Sequence, residues 1–268
     1  MTLAMSSTCD RANVHPTAII HPGATLGDGV EVGPYAVIGE HVSLGRATRV
    51  GAHVVIDGHT TLGEENELFS GAVIGSAPQD LKYQGEPSQL VIGSRNRFRE
   101  YVTINPGTQG GGSKTVIGDD NLIMAYAHVA HDCAVGNRCI IANNAALAGH
   151  ITLEDRAVIG GLVGVHQFVR VGTLAIVGGC SKINQDVPPY AMCDGNPVKV
   201  YGLNVEGLRR HGVPPATRML LKRAFRILFA SGLSFSTAME RVARELPSTP
   251  ELTHLLEFIR TSKRGVCR

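Results

Sequence analysis

Aliphatic side chains recur at every sixth position along most of this chain. From Val14 the steps read Ile20, Leu26, Val32, Ile38, Leu44, Val50, Ile56, Leu62, Leu68 and Ile74, without a polar interruption. A second register, one residue out of step, runs Ile117, Ile123, Val129, Val135, Ile141, Leu147, Leu153, Ile159, Val165, Val171, Val177 and Ile183, and Ile92, Phe98 and Ile104 lie between the two. Neither a helix nor a plain alternating strand repeats every six residues, so the pattern predicts a solenoid of stacked short strands, a parallel β-helix. The fourth residue after each aliphatic is small or β-branched (Ala18, Ala24, Val30, Ala36, Val42, Thr48, Val54), and should also face in. The second and third are often Pro, Gly, Asp, Glu or His, and should face out. Three hexads per turn make residues 18 apart stack above one another, at a strand spacing of about 4.8 Å.

Two segments leave the repeat and predict loops: "DLKYQGEPSQ" (80–89) and "GTQGGGSK" (107–114). Loops on a rigid solenoid are candidate functional sites. The second is no phosphate loop, which needs Gly-Lys-Ser/Thr followed by a helix, whereas this one reads Gly-Ser-Lys. After Ile183 the hexads stop, and "QDVPPYAMCDGNPVKVYG" predicts an extended linker. Three helical stretches follow: one opening at Pro214-Pro215 and closing at Gly232, one starting after serines at Phe235, and one with Thr249 as N-cap, Pro250 in the first turn and Gly265 as stop. The division expected is a β-helical domain over 1–190 and a helical domain over 191–268.

Composition agrees with a repetitive fold. The 268 residues include 32 glycines and no tryptophan, and 43% are hydrophobic, which leaves Val, Ile, Leu and Ala to build the core. No stretch approaches the ~20 apolar residues of a membrane span, and the N-terminus lacks the pattern of a secretory signal, so a cytoplasmic protein is expected. The six cysteines show no C-x-x-C pair and are expected to be reduced. Charge is uneven: Tyr201 to Arg268 holds 12 Lys and Arg against 5 Asp and Glu, net +7, and residues 1 to 200 carry net −5. Either an acidic partner or ordinary solvated helix surface accounts for the basic tail.

The chemistry concentrates in "AYAHVAHDCAVGN" (125–137). Counted from Val129, His131 and Asp132 take the second and third, outward, positions of their hexad. Eighteen residues on, Gly149 falls above His131 and His150 above Asp132. An imidazole is suited to take a proton from a hydroxyl during acyl transfer. Gly149 could offer an unobstructed backbone N–H to an oxyanion one coil spacing away. His41, His53 and His59 have no such neighbours and suit solvated coil positions. A competing metal reading takes His128, His131 and Cys133 as H-x-x-H-x-C. Its two histidines fall at different register positions and no third ligand is evident.

These residues also carry a resemblance. The hexads resemble the bacterial hexapeptide-repeat acyltransferases. More narrowly, "QDLKYQGEPS", "HVAHDCAVGNRCIIANNAALAGH", "GVHQFVRVG", "VGGCSKINQDVPPY" and "GLNVEGLRRHG" are similar to the acyl-carrier-protein-dependent UDP-N-acetylglucosamine O-acyltransferases of lipid A synthesis, from about Val14 to the C-terminus. The resemblance implies a left-handed parallel β-helix of hexapeptide repeats with a C-terminal α-helical domain, assembled as a homotrimer with active sites between neighbouring solenoids. It implies transfer of an (R)-3-hydroxyacyl chain from acyl carrier protein to the glucosamine 3-hydroxyl of UDP-N-acetylglucosamine. No metal and no cofactor are implied beyond the carrier's phosphopantetheine, nor any nucleic acid or stable membrane insertion. By motif, His131 is the general base, Asp132 supports it and Gly149 supplies the oxyanion donor. Asp80, Lys82, His128, His150 and His166 resemble substrate-positioning groups, and Asn204, Glu206 and Arg210, with Gln167, resemble the nucleotide-binding set. Gly179 matches the position that limits acyl length. The chain departs from the family at Asn105-Pro106, where relatives usually carry His-Arg, and at His211, where a second arginine is common.

Three rival readings stand beside this one. A related N-acyltransferase resembles a chain with a large N-terminal nucleotide-binding domain, for which the repeat beginning at Val14 leaves no room. A metal-dependent lyase predicts bound zinc between subunits, and a purely structural solenoid predicts no effect of changing His131.

Overall fold

The computed structural model describes residues 12–268. The first eleven residues, to which the sequence assigns no role, lie outside that range, as does Cys9. From Asn13 the chain winds through three sheets of 11, 9 and 8 strands, parallel except for the last pair of the first, and most strands are two residues long. The first face starts at Asn13–Val14, the second at Ile19–Ile20 and the third at Thr25–Leu26. Asn13 pairs with Glu31, Ile19 with Val37 and Thr25 with Ser43, so coils stack every 18 residues as the hexads predict. The coil is a left-handed β-helix.

Most hexads turn a corner through an outward third residue in the left-handed backbone region: Ala47, His53, Arg95, Asp132, His150 and Phe168 have φ between 55° and 64°. That conformation costs about 1–2 kcal/mol for an L-residue, and stacking of the corners with burial of two side chains per hexad offsets it. Ile38, Ile56, Ile74 and Ile104 are buried, and so are Val30, Ala36, Val42, Thr48 and Val54, the fourth-position set. In three coils that position is asparagine. Asn66 Oδ1 accepts from the N–H and the side-chain amide of Asn96, Asn96 Oδ1 accepts the same pair from Asn121, and Asn121 Oδ1 accepts the Cys139 N–H. All three asparagines are buried, and this ladder satisfies them.

Both loops leave from one edge, the corner between the second and third faces. There Val73 pairs with Thr103 across 30 residues and Thr103 with His128 across 25, in place of 18. The second excursion is one hexad plus one residue, which produces the slip between the two registers.

The C-terminal part differs from the sequence expectation in two respects. The extended linker adds strands: Ala191–Asp194 pairs parallel with Ile176–Val177 on the first face, then antiparallel with Lys199–Leu203, so the sheet crosses residue 190. Four helices form rather than three. The additional one, α1 (Val205–Arg210), is only six residues and is capped by Asn204, whose side chain accepts the Gly207 N–H; it is too short to show a period. α2 (Pro215–Ala230), α3 (Phe235–Glu245) and α4 (Pro250–Arg260) follow, with Ser234 and Thr249 as N-caps of the last two. α4 ends at Arg260, before Gly265, because Thr261 caps it by donating to the Glu257 carbonyl. Arg170 fastens α4 to the coil: Nε donates to buried Asp186 at 3.0 Å, Nη2 to the Phe258 carbonyl at 2.7 Å, and the guanidinium lies 4.2 Å from the Phe258 ring centre. Among the described residues no helix is long and apolar enough to cross a membrane.

Candidate active site

The corner that carries both loops also carries "HD" and "GH". Asp132, His150 and Phe168 hold equivalent corner positions in three successive coils, and His150 stacks on Phe168 with ring centres 4.3 Å apart. His131 Nδ1–H donates to Asp132 Oδ2 at 2.7 Å, which leaves Nε2 as the nitrogen able to accept a proton. His150 meets His131 edge-on at 5.1 Å, and its Nε2 lies 3.9 Å from Asp132 Oδ2.

His131 and Asp132 leave the coil outward, as the hexad count predicts, yet they are not solvated: their side chains are only 7% and 1% exposed. The cause is the 107–113 loop folded over them. Thr108 gives Asp132 two bonds, from its N–H to Oδ1 at 2.9 Å and from its hydroxyl to Oδ2 at 2.7 Å, and the Asp132 N–H in turn donates to the Thr115 hydroxyl at 2.8 Å. Gly111 lies so close above that a Cβ there would overlap the carboxylate.

Gly149 is nearer the base than one coil spacing. A Cβ on it would sit 2.7 Å from His131 Nε2 and 3.0 Å from Nδ1, so the imidazole occupies the space that a side chain would take. Around this turn Ala148 N–H bonds to Val165, His150 N–H to His131, and the Gly149 carbonyl accepts from Phe168. The Gly149 N–H is left without a partner among the described residues, although the residue is buried.

Asp80, Lys82 and His150 line one cleft of about 870 Å³, with Glu86, Gln109 and Phe168 on its walls. The two loops are tied across it by the Gln109 N–H bond to Glu86. Burial, then the neighbouring His131, lower the pKa of His128, whose Nδ1 lies 2.7 Å from the Thr103 hydroxyl. Burial also lowers that of His150, against the opposing pull of Asp132. Both rings therefore favour the neutral form near pH 7. His166 and Gln167 are exposed on the same corner, one coil beyond His150.

The remaining site residues lie on other corners. Gly179 lies between the first and second faces, where a Cβ would approach the Gly161 carbonyl to 3.1 Å. Asn204 donates to the Leu174 carbonyl at the corner between the third and first faces. Glu206 there accepts from Arg209 and Arg210, and these two hydrogen bonds hold its carboxyl down to about 2. His211 caps α1, its pKa lowered by burial and by Arg156 and Arg138. One protomer thus brings together His131, Asp132, Gly149, His150, Asp80 and Lys82 but not Gly179 or the α1 group.

The metal reading through Cys133 fails on chemistry. Its thiol donates to the Ala148 carbonyl, and burial raises its pKa to about 12. His131, Asp132 and His150 do present donor atoms within 4.8 Å of one another. However, the Asp132 oxygens already accept from Thr108 and His131, and an ion would have to break those bonds.

Sequence reasoning missed Thr108, Thr115 and Phe168, and noted Asn105 without a role. Phe168 was reachable, 18 residues beyond His150. The others adjoin or lie in segments where the coil count is interrupted. Asn105, at the family departure, is 4% exposed and its amide donates to the Ser76 and Ala77 carbonyls, so it anchors the Asp80 loop without adding charge.

Comparison with known proteins decides the kinship. A relative from Verminephrobacter eiseniae, named acyl-(acyl-carrier-protein)–UDP-N-acetylglucosamine O-acyltransferase, is 52% identical over 262 residues, which are 96% of this chain and 100% of that protein. The chain belongs to this O-acyltransferase family. A namesake from Burkholderia lata is also 52% identical, over 95% of this chain and 99% of its own. The family model described as UDP N-acetylglucosamine O-acyltransferase, domain 2, matches residues 186–267, and the bacterial transferase hexapeptide model matches 114–149. Among solved structures, LpxA from Acinetobacter baumannii superposes with a TM-score of 0.92 at 40% identity, covering 95% of this chain and 99% of that one. The UDP-N-acetylglucosamine acyltransferase of Arabidopsis superposes at 0.83 and 38%, covering 95% and 100%.

Proposed function

We propose that this O-acyltransferase moves an (R)-3-hydroxyacyl chain from acyl carrier protein to the 3-hydroxyl of UDP-N-acetylglucosamine, the opening step of lipid A synthesis, with His131 as general base. The observation that carries the assignment is the buried His131–Asp132 pair, with its free nitrogen laid against Gly149 and next to His150, which lines the cleft. Nε2 takes the proton as the acceptor oxygen bonds to the thioester carbon. The carbonyl oxygen, now negative, accepts from the Gly149 N–H. Collapse of that intermediate breaks the carbon–sulfur bond, and His131 returns the proton to the departing phosphopantetheine thiolate. Asp132 holds the tautomer throughout and favours the transient imidazolium. The acyl group arrives on its carrier, and every proton move is accounted for by these side chains, so the reading needs neither metal nor resident cofactor.

We propose a homotrimer, a reading supported by the placement of the other residues. Asn204, Glu206 and Arg210 stand on one corner, Gly179 on another and His131 on the third, so a cleft between neighbouring protomers is the arrangement that would assemble them. The carrier, an acidic protein, suits the basic tail, where Lys222, Arg223 and Arg226 are exposed on α2.

The test is mass spectrometry of UDP-N-acetylglucosamine incubated with the protein and a panel of 3-hydroxyacyl carrier proteins. A product heavier by one hydroxyacyl group is expected, and no product with any chain length would overturn the assignment. His131→Ala should lose turnover while keeping the coil, because its hexad remains held by Val129 and Cys133 in the core. Near-normal turnover in that variant would remove His131 as the base.

A further inference from the structure

We infer that Thr108 is a positioning residue for catalysis: through paired donors on Asp132 it sets the orientation of the His131 imidazole. The inference rests on the general-base role of His131. Asp132 accepts three bonds, and two come from Thr108: the backbone N–H reaches Oδ1 and the hydroxyl reaches Oδ2. The third comes from His131 Nδ1, onto the same Oδ2 that takes the hydroxyl. The carboxylate is thereby fixed in rotation, and two of its three donors, the hydroxyl and the imidazole, share one oxygen. Thr108 itself is only 5% exposed, on the wall of the same cleft.

Withdrawing the hydroxyl has two effects of opposite kind. The carboxylate gains freedom to turn, which loosens the direction of Nε2 toward the acceptor. Negative charge on Oδ2 is also left less satisfied, which favours the imidazolium opposite it. The other charged or titratable groups facing the pair are His150 from the next coil, His128 from the strand before it, and Asp80, Lys82 and Glu86 across the cleft. None of them touches Thr108 in the way Asp132 does, so a change confined to the hydroxyl reads out through Asp132.

The experiment compares Thr108→Val, which keeps the N–H and the side-chain shape, with Thr108→Ser, which keeps the hydroxyl. A hydrogen bond to a charged group corresponds to about a tenfold effect or more. The expected result for Thr108→Val is a kcat about tenfold lower, a KM for UDP-N-acetylglucosamine within about twofold, and the acid limb of kcat/KM moved to higher pH. Thr108→Ser should restore both kcat and the limb. A Thr108→Val enzyme with wild-type kcat and pH profile overturns the inference, as does a loss that appears only in KM or that serine fails to rescue. Should Thr108→Val fail to fold, Thr108→Ser decides alone, since it must then match wild type in both. Absence of turnover by the wild-type protein would refute the proposed reaction itself, a result distinct from all of these.

Discussion

Replacing Gly149 with alanine isolates one geometric claim, that this position is glycine because an imidazole fills the place of its side chain. The new Cβ would stand 2.7 Å from His131 Nε2 and nearer still to Cε1, where ordinary contacts begin at 3.4 Å, so the ring must retreat by roughly 1 Å. It cannot simply slide, because Nδ1 is held by Asp132 and Asp132 by Thr108. A displacement of about 1 Å at a reacting atom costs about 10²-fold in rate. Overpacking at one buried site costs about 1–3 kcal/mol, which a coil of this length tolerates, since the flanking Leu147 and Ile151 stay buried. The backbone itself is not strained, because Gly149 is outside the left-handed region. Steady-state turnover of Gly149→Ala, with thermal melting and gel filtration as controls, should show a folded protein about 10²-fold slower. The N–H survives the substitution, so the loss belongs to the ring and not to the oxyanion donor. A folded variant within about threefold of wild type would refute the reasoning.

Other expectations follow from the same contacts. Arg170→Ala strands the buried Asp186 carboxylate and frees α4, and should cost about 3 kcal/mol, read as a lower urea midpoint. The His254–Glu154 bond between α4 and the coil should be strongest at intermediate pH. The Glu154 bond raises the pKa of His254, so its contribution is present below the ordinary histidine value and lost as pH rises through the raised one. Burial pushes the Glu154 carboxyl up, but bonds from His254 and Thr173 outweigh it and leave it lowered, so that contribution is lost as pH falls. Melting temperature against pH should show a dome that His254→Gln flattens by about 2–4 °C. Reversing charge at Lys222 and Arg226 should raise the apparent KM for the carrier protein several-fold without changing kcat; an unchanged KM would return this face to ordinary helix surface.

Much of the architecture was legible because one rule repeats. From Ile117 to Ile183 no insertion interrupts the hexads, so adding 18 to Asp132 gives His150, and the stacked site could be found on paper. Burial of that site could not. It depends on Thr108 and Gly111, which sit in an excursion whose path no period describes. The helical part shows the same division. α3 and α4 announce their starts through Ser234 and Thr249, whereas α1 is too short for a periodic face and the strands from Ala191 to Leu203 are signalled only by their partner.

The asparagine ladder has a consequence for how the coil finds its count. Its rungs, Asn66, Asn96 and Asn121, lie 30 and 25 residues apart, so they bridge the two turns whose loops break the six-residue rhythm. Aliphatic packing tolerates a shifted neighbour there, one Ile resembling another. A buried amide does not, because a misplaced rung leaves donors and acceptors unpaired at a cost of about 1–3 kcal/mol each. The ladder therefore serves as an index mark, counting turns at the place where the hexads lose their step and delivering His131 to the correct loop.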